Sequence, residues 1–378
     1  MKIICAPDSF KGSLTAAEAA EVMARGLRNK HHDAEVDLCP ISDGGEGFTY
    51  AIALANNHAM MTARCTDPLG RPIDAGWCLL HSGVGRDTAI IEMATVSGLV
   101  LLEPDERDPT RTTTFGTGQL IQQALDAGAQ TIILGIGGSA TNDGGCGMAQ
   151  ALGAEFYDQD DRLIDRPMTG GTLTSVSRIG TTGLDPRLHV VKLIVACDVT
   201  NPLTGPDGAS HIYGPQKGAT PDQVEQLDAG LRHLARLWRD QLGKDVEHTP
   251  GAGAAGGLGA GLIAFCNATL RPGLDIVLEK VRFDERVRGC DLCLTGEGRL
   301  DGQSLSGKAV LGVARAASKH NVPTIALVGS LGPGHEKTRE AGLKDYIEIG
   351  RGVPAKESIS RAAELLEAAT QRAISLHV

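Results

Sequence analysis

Positive charge is in short supply in this 378-residue chain: 36 Lys and Arg stand against 46 Asp and Glu, a formal net charge of -10. A surface of that sign does not draw nucleic acid or an anionic membrane, so neither is expected as a partner. No apolar run approaches the length of a membrane span, and the chain opens on an apolar strand at Ile3 and Ile4 rather than on a signal sequence. A cytoplasmic location is the expectation. Aromatic residues make up only 3%, while Gly is used 49 times. Ala, Leu, Ile and Val carry most of the apolar content, the profile of an α/β protein with small residues at crowded strand-helix contacts. The nine cysteines are scattered and odd in number, which fits reduced thiols better than a disulfide framework. Cys290 and Cys293 form a lone C-x-x-C inside an apolar run, with no second pair and no histidine at zinc spacing, so a structural reading is preferred. Also missing are a Ser-His-Asp order, a G-x-S-x-G elbow and paired histidines, which sets aside the common hydrolase and metalloprotease chemistries. The first strand lacks the G-x-G-x-x-G of a nicotinamide enzyme. Internal repeats, low-complexity tracts and disordered charge blocks are not found.

The length exceeds what one hydrophobic core usually supports, so two domains are expected. Alternating short apolar runs and amphipathic helices begin the chain: a strand over 2–6, a helix opened by a Thr15/Glu18 capping box, a strand over 36–39 and a helix over 48–55. The same alternation returns near the end, with strands over 291–295, 323–328 and 346–349, a helix over 310–319 and a last helix over 357–376. Residues 61–100 instead resemble irregular strands and turns of an antiparallel or mixed sheet. Thr220, Pro221 and Gln223 open a long helix with Val224, Leu227, Leu231, Leu234 and Trp238 on one face. The fold expected is α/β in two domains: a parallel, three-layer domain of flavodoxin or Rossmann type from 1–62 and 286–378, with a mixed α/β domain over 63–285 inserted. A cleft between them is the expected ligand site. A continuous split into N- and C-terminal halves is the alternative.

Six polar or glycine-rich constellations carry the candidate chemistry. PDSFKGS follows the first strand and puts Asp8, Ser9 and Lys11 at the carboxyl edge of the sheet, where open α/β folds bind ligands. SDGGEGF follows the next strand, so Asp43 and Glu46 face the same edge, to orient hydroxyls, bind Mg²⁺ or cap the following helix. The third, IILGIGGSATNDGGCGMAQA over 132–151, reads as strand, glycine-rich loop and helix start, a phosphate cradle or a plain turn. Asp143 inside it would repel phosphate unless Mg²⁺ lies between them, which points to a nucleoside triphosphate. The fourth, ACDVTNPLTGPDGASHIYGPQKGA, holds Asp198 at a strand end, Asn201 in a turn and Lys217 in a glycine-flanked turn. GAGAAGGLGAG over 251–261 offers backbone N–H groups or close helix packing. In TGEGRLDGQSLSGK, Gly302, Gly307 and Lys308 match the core of a phosphate loop, but Ala309 replaces the hydroxyl residue that holds Mg²⁺, and Glu297, Arg299 and Asp301 intervene after the strand.

The whole set, in this order and spanning essentially the full chain, resembles the glycerate kinase type 1 family. The resemblance implies ATP-dependent phosphorylation of D-glycerate, typically at the 2-hydroxyl in bacterial members, a flavodoxin-like domain, and a place in glycerate, glyoxylate or sugar-acid catabolism. Phe48 departs from the pattern, since many relatives carry a small polar residue after SDGGEG. On this reading ATP phosphates lie along Gly137, Gly138, Ser139, Thr141, Asn142, Gly144 and Gly145 with Lys217, and Mg²⁺ is held through Asp143, Glu297 and Asp301. Lys308 or Arg299 offsets charge on the transferred phosphoryl, Asp43 or Asp198 orients the glycerate hydroxyl, and Lys11 takes the carboxylate, with Asp8, Ser9, Glu46 and Asn201 near the substrate. A homodimer is left open. Two rivals share the composition: a nicotinamide-dependent reductase of small hydroxy acids, and a nucleotide-binding sensor without turnover.

Overall fold

The computed structural model describes residues 1–377 apart from 43, 46, 82, 84–86 and 303–308. The chain divides into two units, the first made of Met1–Asp43, Tyr50–Asn57 and Gly273–Val378, the second of Gly44–Thr49 and His58–Pro272. In chain order the strands are β1 (Lys2–Pro7), β2 (Glu35–Leu38), β3 (Met61–Thr66), β4 (Pro72–Leu80), β5 (Thr88–Glu92), β6 (Thr131–Gly135), β7 (Glu155–Tyr157), β8 (Arg178–Gly180), β9 (Lys192–Ala196), β10 (Thr269–Arg271), β11 (Leu292–Leu300), β12 (Thr324–Leu331) and β13 (Asp345–Glu348).

The first unit is a parallel sheet in the order β13-β12-β11-β1-β2. Counted by appearance within the unit this is the flavodoxin order 2-1-3-4-5, and its direction reverses between β1 and β11. Alternation along β12 makes three layers. Ile325 and Leu327 join Ile3, Cys5 and Leu294 under helices Ala16–Lys30 and Ala362–His377, while Ala326 and Val328 meet Val310, Leu311 and Ala314 of helix Ala309–Ser318 on the other face. Local signals set the helix starts. Thr15 and Glu18 form the capping box reciprocally, with N···O distances of 2.8 and 3.2 Å, and the bonds that Thr15 N and Oγ1 donate hold the Glu18 carboxyl below its ordinary range. Two expectations need correction. The last helix is broken at Arg361 into Ala355–Ser360 and Ala362–His377. The strand expected over 291–295 runs to Leu300, because Arg299 and Leu300 continue the ladder against Ser330 and Leu331 of β12. Pairing overrides the poor strand propensity of its glycines.

The second unit is a mixed sheet, β10-β9-β6-β5-β4-β3, parallel from β10 to β5 and antiparallel from β5 to β3, with β7 and β8 as a separate ribbon. Thr220 caps the helix Pro221–Leu242, whose Leu231, Leu234 and Trp238 enter the core. Among the described residues no helix is long and apolar enough to cross a membrane. The glycine-rich segment 251–261 opens helix Ala254–Cys266 with a left-handed turn, Ala255 to Gly257. It lies directly against the loop after β6: a Cβ on Gly256, where φ is +68°, would stand 2.0 Å from Thr141 O and 2.6 Å from Asn142 Cα. Backbone is what it meets, so nothing nearby can yield cheaply. Gly256→Ala is therefore predicted to lower stability by about 3 kcal/mol or more, combining left-handed strain with overpacking. Gly243→Ala, equally left-handed but with open space around it, is expected to cost about 1 kcal/mol. Urea midpoints of the two variants check this, and equal losses would contradict the packing account.

Candidate active site

Parallel strands deliver their following turns to the carboxyl edge of a sheet, and in the first unit five of the expected residues meet there. Asp8, Ser9 and Lys11 leave β1, and Glu297 and Arg299 ride the extended end of β11. All five line one cavity of about 450 Å³ at the reversal point between those strands. Asp8 N donates to Gly296 O at 2.9 Å, which pins the turn to β11, and the Asp8 carboxylate accepts from Ser9 N at 2.6 Å. Glu297 is only 7% exposed. Arg299 lies 3.4 Å from the Asp301 carboxylate. The exits of β1 and β11 thus bring two carboxylates and two cations to the crevice, with Asp301 paired to one of those cations and a third carboxylate, Glu348, across from them. The far wall of the crevice comes from Glu348 at the end of β13, Ile349 and Val353 after it, and Ser358 and Ile359 on helix Ala355–Ser360. Asp43, Glu46 and Lys308 lie outside the described residues.

In the second unit the loop after β6 is closed on itself. Asp143 is fully buried, and its carboxylate accepts from Thr114 N at 2.8 Å, Thr114 Oγ1 at 2.7 Å, Gly145 N at 3.0 Å and Gly147 N at 3.2 Å. Burial pushes this carboxyl above its ordinary range, and the hydrogen bonds oppose that shift. Gly144 N donates to Gly256 O and Cys146 N to Asp143 O, both at 3.0 Å. The glycines are filled from outside as well: a Cβ at Gly144 would sit 2.6 Å from the Leu234 side chain, and one at Gly145 3.2 Å from that of Leu258. The sequence reading gave 144–145 to a phosphate cradle and Asp143 to a metal; here they are engaged within the unit, Asp143 fully buried. The N–H groups already have protein acceptors, and the carboxylate is sealed from solvent. A run of glycines reads the same in sequence whether it admits an anion or another backbone.

Thr141 and Asn142 are also fully buried, with Asn142 Nδ2 donating to Ser210 Oγ at 3.0 Å. Gly138 is exposed and Gly137 partly so. Lys217 lies beneath the loop, 2% exposed, and its Nζ donates to Ser139 Oγ and Thr141 O, each at 2.7 Å. These two bonds tie it to the loop. Asn201 likewise braces its own loop, donating to Asp207 O at 2.9 Å and accepting from Tyr213 Oη at 2.6 Å. Asp198 is exposed beyond β9.

One acid at this second sheet edge was not foreseen. Glu92 ends the wholly buried β5 and accepts from Gly47 N at 3.1 and 3.2 Å. Gly44 and Gly45 press on Gly135 and Gly137, leaving no room there for side chains, and Phe48 is buried against Gly135. The signal for Glu92 was an acid closing an otherwise apolar run, TAIIE.

A flavodoxin-type sheet with a charged crevice at its reversal, in one chain with a mixed α/β unit, makes this an α/β protein of two units. The sequence model of the Glycerate kinase family matches residues 3–378. Glycerate kinase of Bacillus subtilis (strain 168) is 48% identical over 368 residues, 97% of this chain and 95% of that protein. Glycerate 2-kinase of Escherichia coli (strain K12) is 49% identical over 331 residues, 88% of this chain and 86% of that protein. A crystal structure from Salmonella typhimurium LT2, assigned as a glycerate kinase 2, matches with a TM-score of 0.86 at 43% identity, covering 100% of this chain and 98% of that one. The chain belongs to the glycerate kinase family. It is accordingly a kinase, with ATP as its co-substrate.

Lys217 gives this architecture a pH dependence. An unfolded lysine keeps its proton to about pH 10.4, whereas burial brings Lys217 down to about 7, with the nearby Asp143 charge opposing the shift. Between those values the unfolded chain binds more protons, so this group makes folding more favourable as pH rises from about 7 to about 10. Lys217→Met removes the contribution. The stability difference between the native chain and this variant is predicted to widen in favour of the native chain by on the order of 1 kcal/mol between pH 7 and 8.5. Urea melts at both pH values read it, and a constant difference would contradict the buried-amine assignment.

Proposed function

We propose that this chain transfers the γ-phosphoryl group of ATP to the 2-hydroxyl of D-glycerate, giving 2-phosphoglycerate and ADP, in the crevice between the ends of β1 and β11. The observation that carries this reading is the gathering of Asp8, Ser9, Lys11, Glu297 and Arg299 on one cavity at the reversal of a flavodoxin-type sheet. Family membership supplies the reaction class, and the Escherichia coli relative's name supports the 2-position.

Phosphoryl transfer depends on positioning and on electrostatic stabilisation of spread negative charge. Lys11, a compact point charge on an exposed turn, is assigned the glycerate carboxylate. Arg299 offsets charge on the transferred phosphoryl, held from behind by Asp301. Mg²⁺ is taken up by one or two carboxylates together with substrate phosphates, and Asp8 and Glu297 on the same cavity fit that donor chemistry where the sealed Asp143 does not. When bound, the ion supplies neutralising charge at the β- and γ-phosphate oxygens. Asp43 keeps the role of orienting the acceptor hydroxyl on its sequence argument, and Asp198 stands as the alternative. The nine free cysteines fit the reducing cytoplasm, the location assigned here.

A ³¹P NMR time course with ATP, Mg²⁺ and D-glycerate tests the reading: a new phosphomonoester signal should grow with ADP, split as a doublet by the single proton on C2. A triplet would place the ester on C3 and overturn the regiochemistry, and ATP loss independent of glycerate would overturn the transferase. Glu297→Gln should lower turnover about a hundredfold or more while leaving the thermal unfolding midpoint near native, given what one lost transition-state contact costs. Near-native turnover would remove Glu297 from the site.

A further inference from the structure

The crevice is chemically lopsided. Four of its charged groups sit at the exits of β1 and β11, whereas the wall beyond β13, apart from Glu348, is largely apolar, built from Ile349, Val353 and Ile359 with Ala355 and Ala362 beside them. Ile359 is 53% exposed there, a large apolar side chain left on a cavity wall. D-glycerate is a three-carbon acid bearing two hydroxyls, with no apolar face to set against such a surface. Only the nucleotide carries a flat apolar part. The distances agree: β13 and β1 are three strands apart in the sheet, roughly 14 Å at the spacing of neighbouring strands. A nucleoside triphosphate crosses that span and glycerate does not.

Resting on the kinase reading above, we propose that the wall formed by Ile349, Val353 and Ile359 seats the adenine ring of ATP, with the triphosphate running along the strand ends toward Lys11 and Arg299. Glu348 and Ser358 on the same wall supply the acceptor and hydroxyl that ribose or the adenine edge takes up. The unit then uses its sheet edge lengthwise, with the nucleoside over β13 and the reacting phosphate over β11 and β1. Glycerate is confined to the charged end.

Steady-state kinetics and ADP calorimetry on Ile359→Ser and Val353→Ser test this. Ile359 is exposed, so its replacement leaves the fold in place. Expected are a rise of about tenfold in KM for ATP and a matching loss of ADP affinity, about the worth of one apolar contact, with KM for glycerate within twofold of native. A rise in KM for glycerate with ATP and ADP unaffected would overturn the assignment of this wall, as would native ADP affinity in both variants. Failure of the kinase reading shows differently: the native chain would release no ADP in response to glycerate, and the calorimetric comparison would still decide whether ADP uses the wall. Absence of ADP binding to the native chain would overturn the proposal outright.

Discussion

Parallel pairing constrains everything else in this protein. A strand that runs alongside its neighbour must return by a crossover, so the turns leaving all parallel strands of a sheet collect at one edge. In the first unit that edge is where β1, β11, β12 and β13 end, and the reversal of winding between β1 and β11 keeps two successive crossovers from covering the same ground. The crevice is the space left over. Its charged residues come from two distant stretches of sequence because the sheet order makes β1 and β11 neighbours. The register then sets their height, with Pro7 opposite Gly296 and Asp8 bonded back to it.

The second unit obeys the same constraint and uses its edge differently. The loop after β6 is clamped at one end by Asp143, which gathers donors from Thr114, Gly145 and Gly147, and at the other by Lys217, which reaches Ser139 and Thr141. Two glycine-rich segments, one around Gly144 and one around Gly256, then touch backbone to backbone. A buried acid and a buried amine are costly unless hydrogen-bonded, and each here has its partners. Their bonds hold a tight loop in one shape. The exposed Gly138 at its crest is the part left open to solvent.

Much of the fold was legible because local signals and tertiary structure agree. The capping boxes at Thr15 and Thr220 start helices where their side chains say they should. Short continuous apolar runs such as TIALVG mark buried strands, and the logic of strand exits placed Asp8, Ser9 and Lys11 at the sheet edge. What the residues alone did not disclose depends on partners far away in the chain. Glu297 and Arg299 looked like loop residues until β12 was there to pair with them. The burial of Asp143 was not foreseen because nothing in its neighbourhood of sequence shows that Thr114 lies beside it. Glu92 drew no notice because its companion, Gly47, is 45 residues away. The apolar wall of the crevice is divided among a strand exit, a turn and two helix starts, none of them distinctive alone.

On the proposed reading the reacting groups meet in the crevice of the first unit. Amide hydrogen exchange in the presence and absence of Mg²⁺, a non-hydrolysable ATP analogue and D-glycerate tests it most directly. The account predicts that ligand slows exchange over residues 8–13, 297–299 and 349–359, with the buried loop 141–147 unchanged. Protection confined to the loop after β6, with the crevice segments exchanging as they do in the free protein, would contradict it.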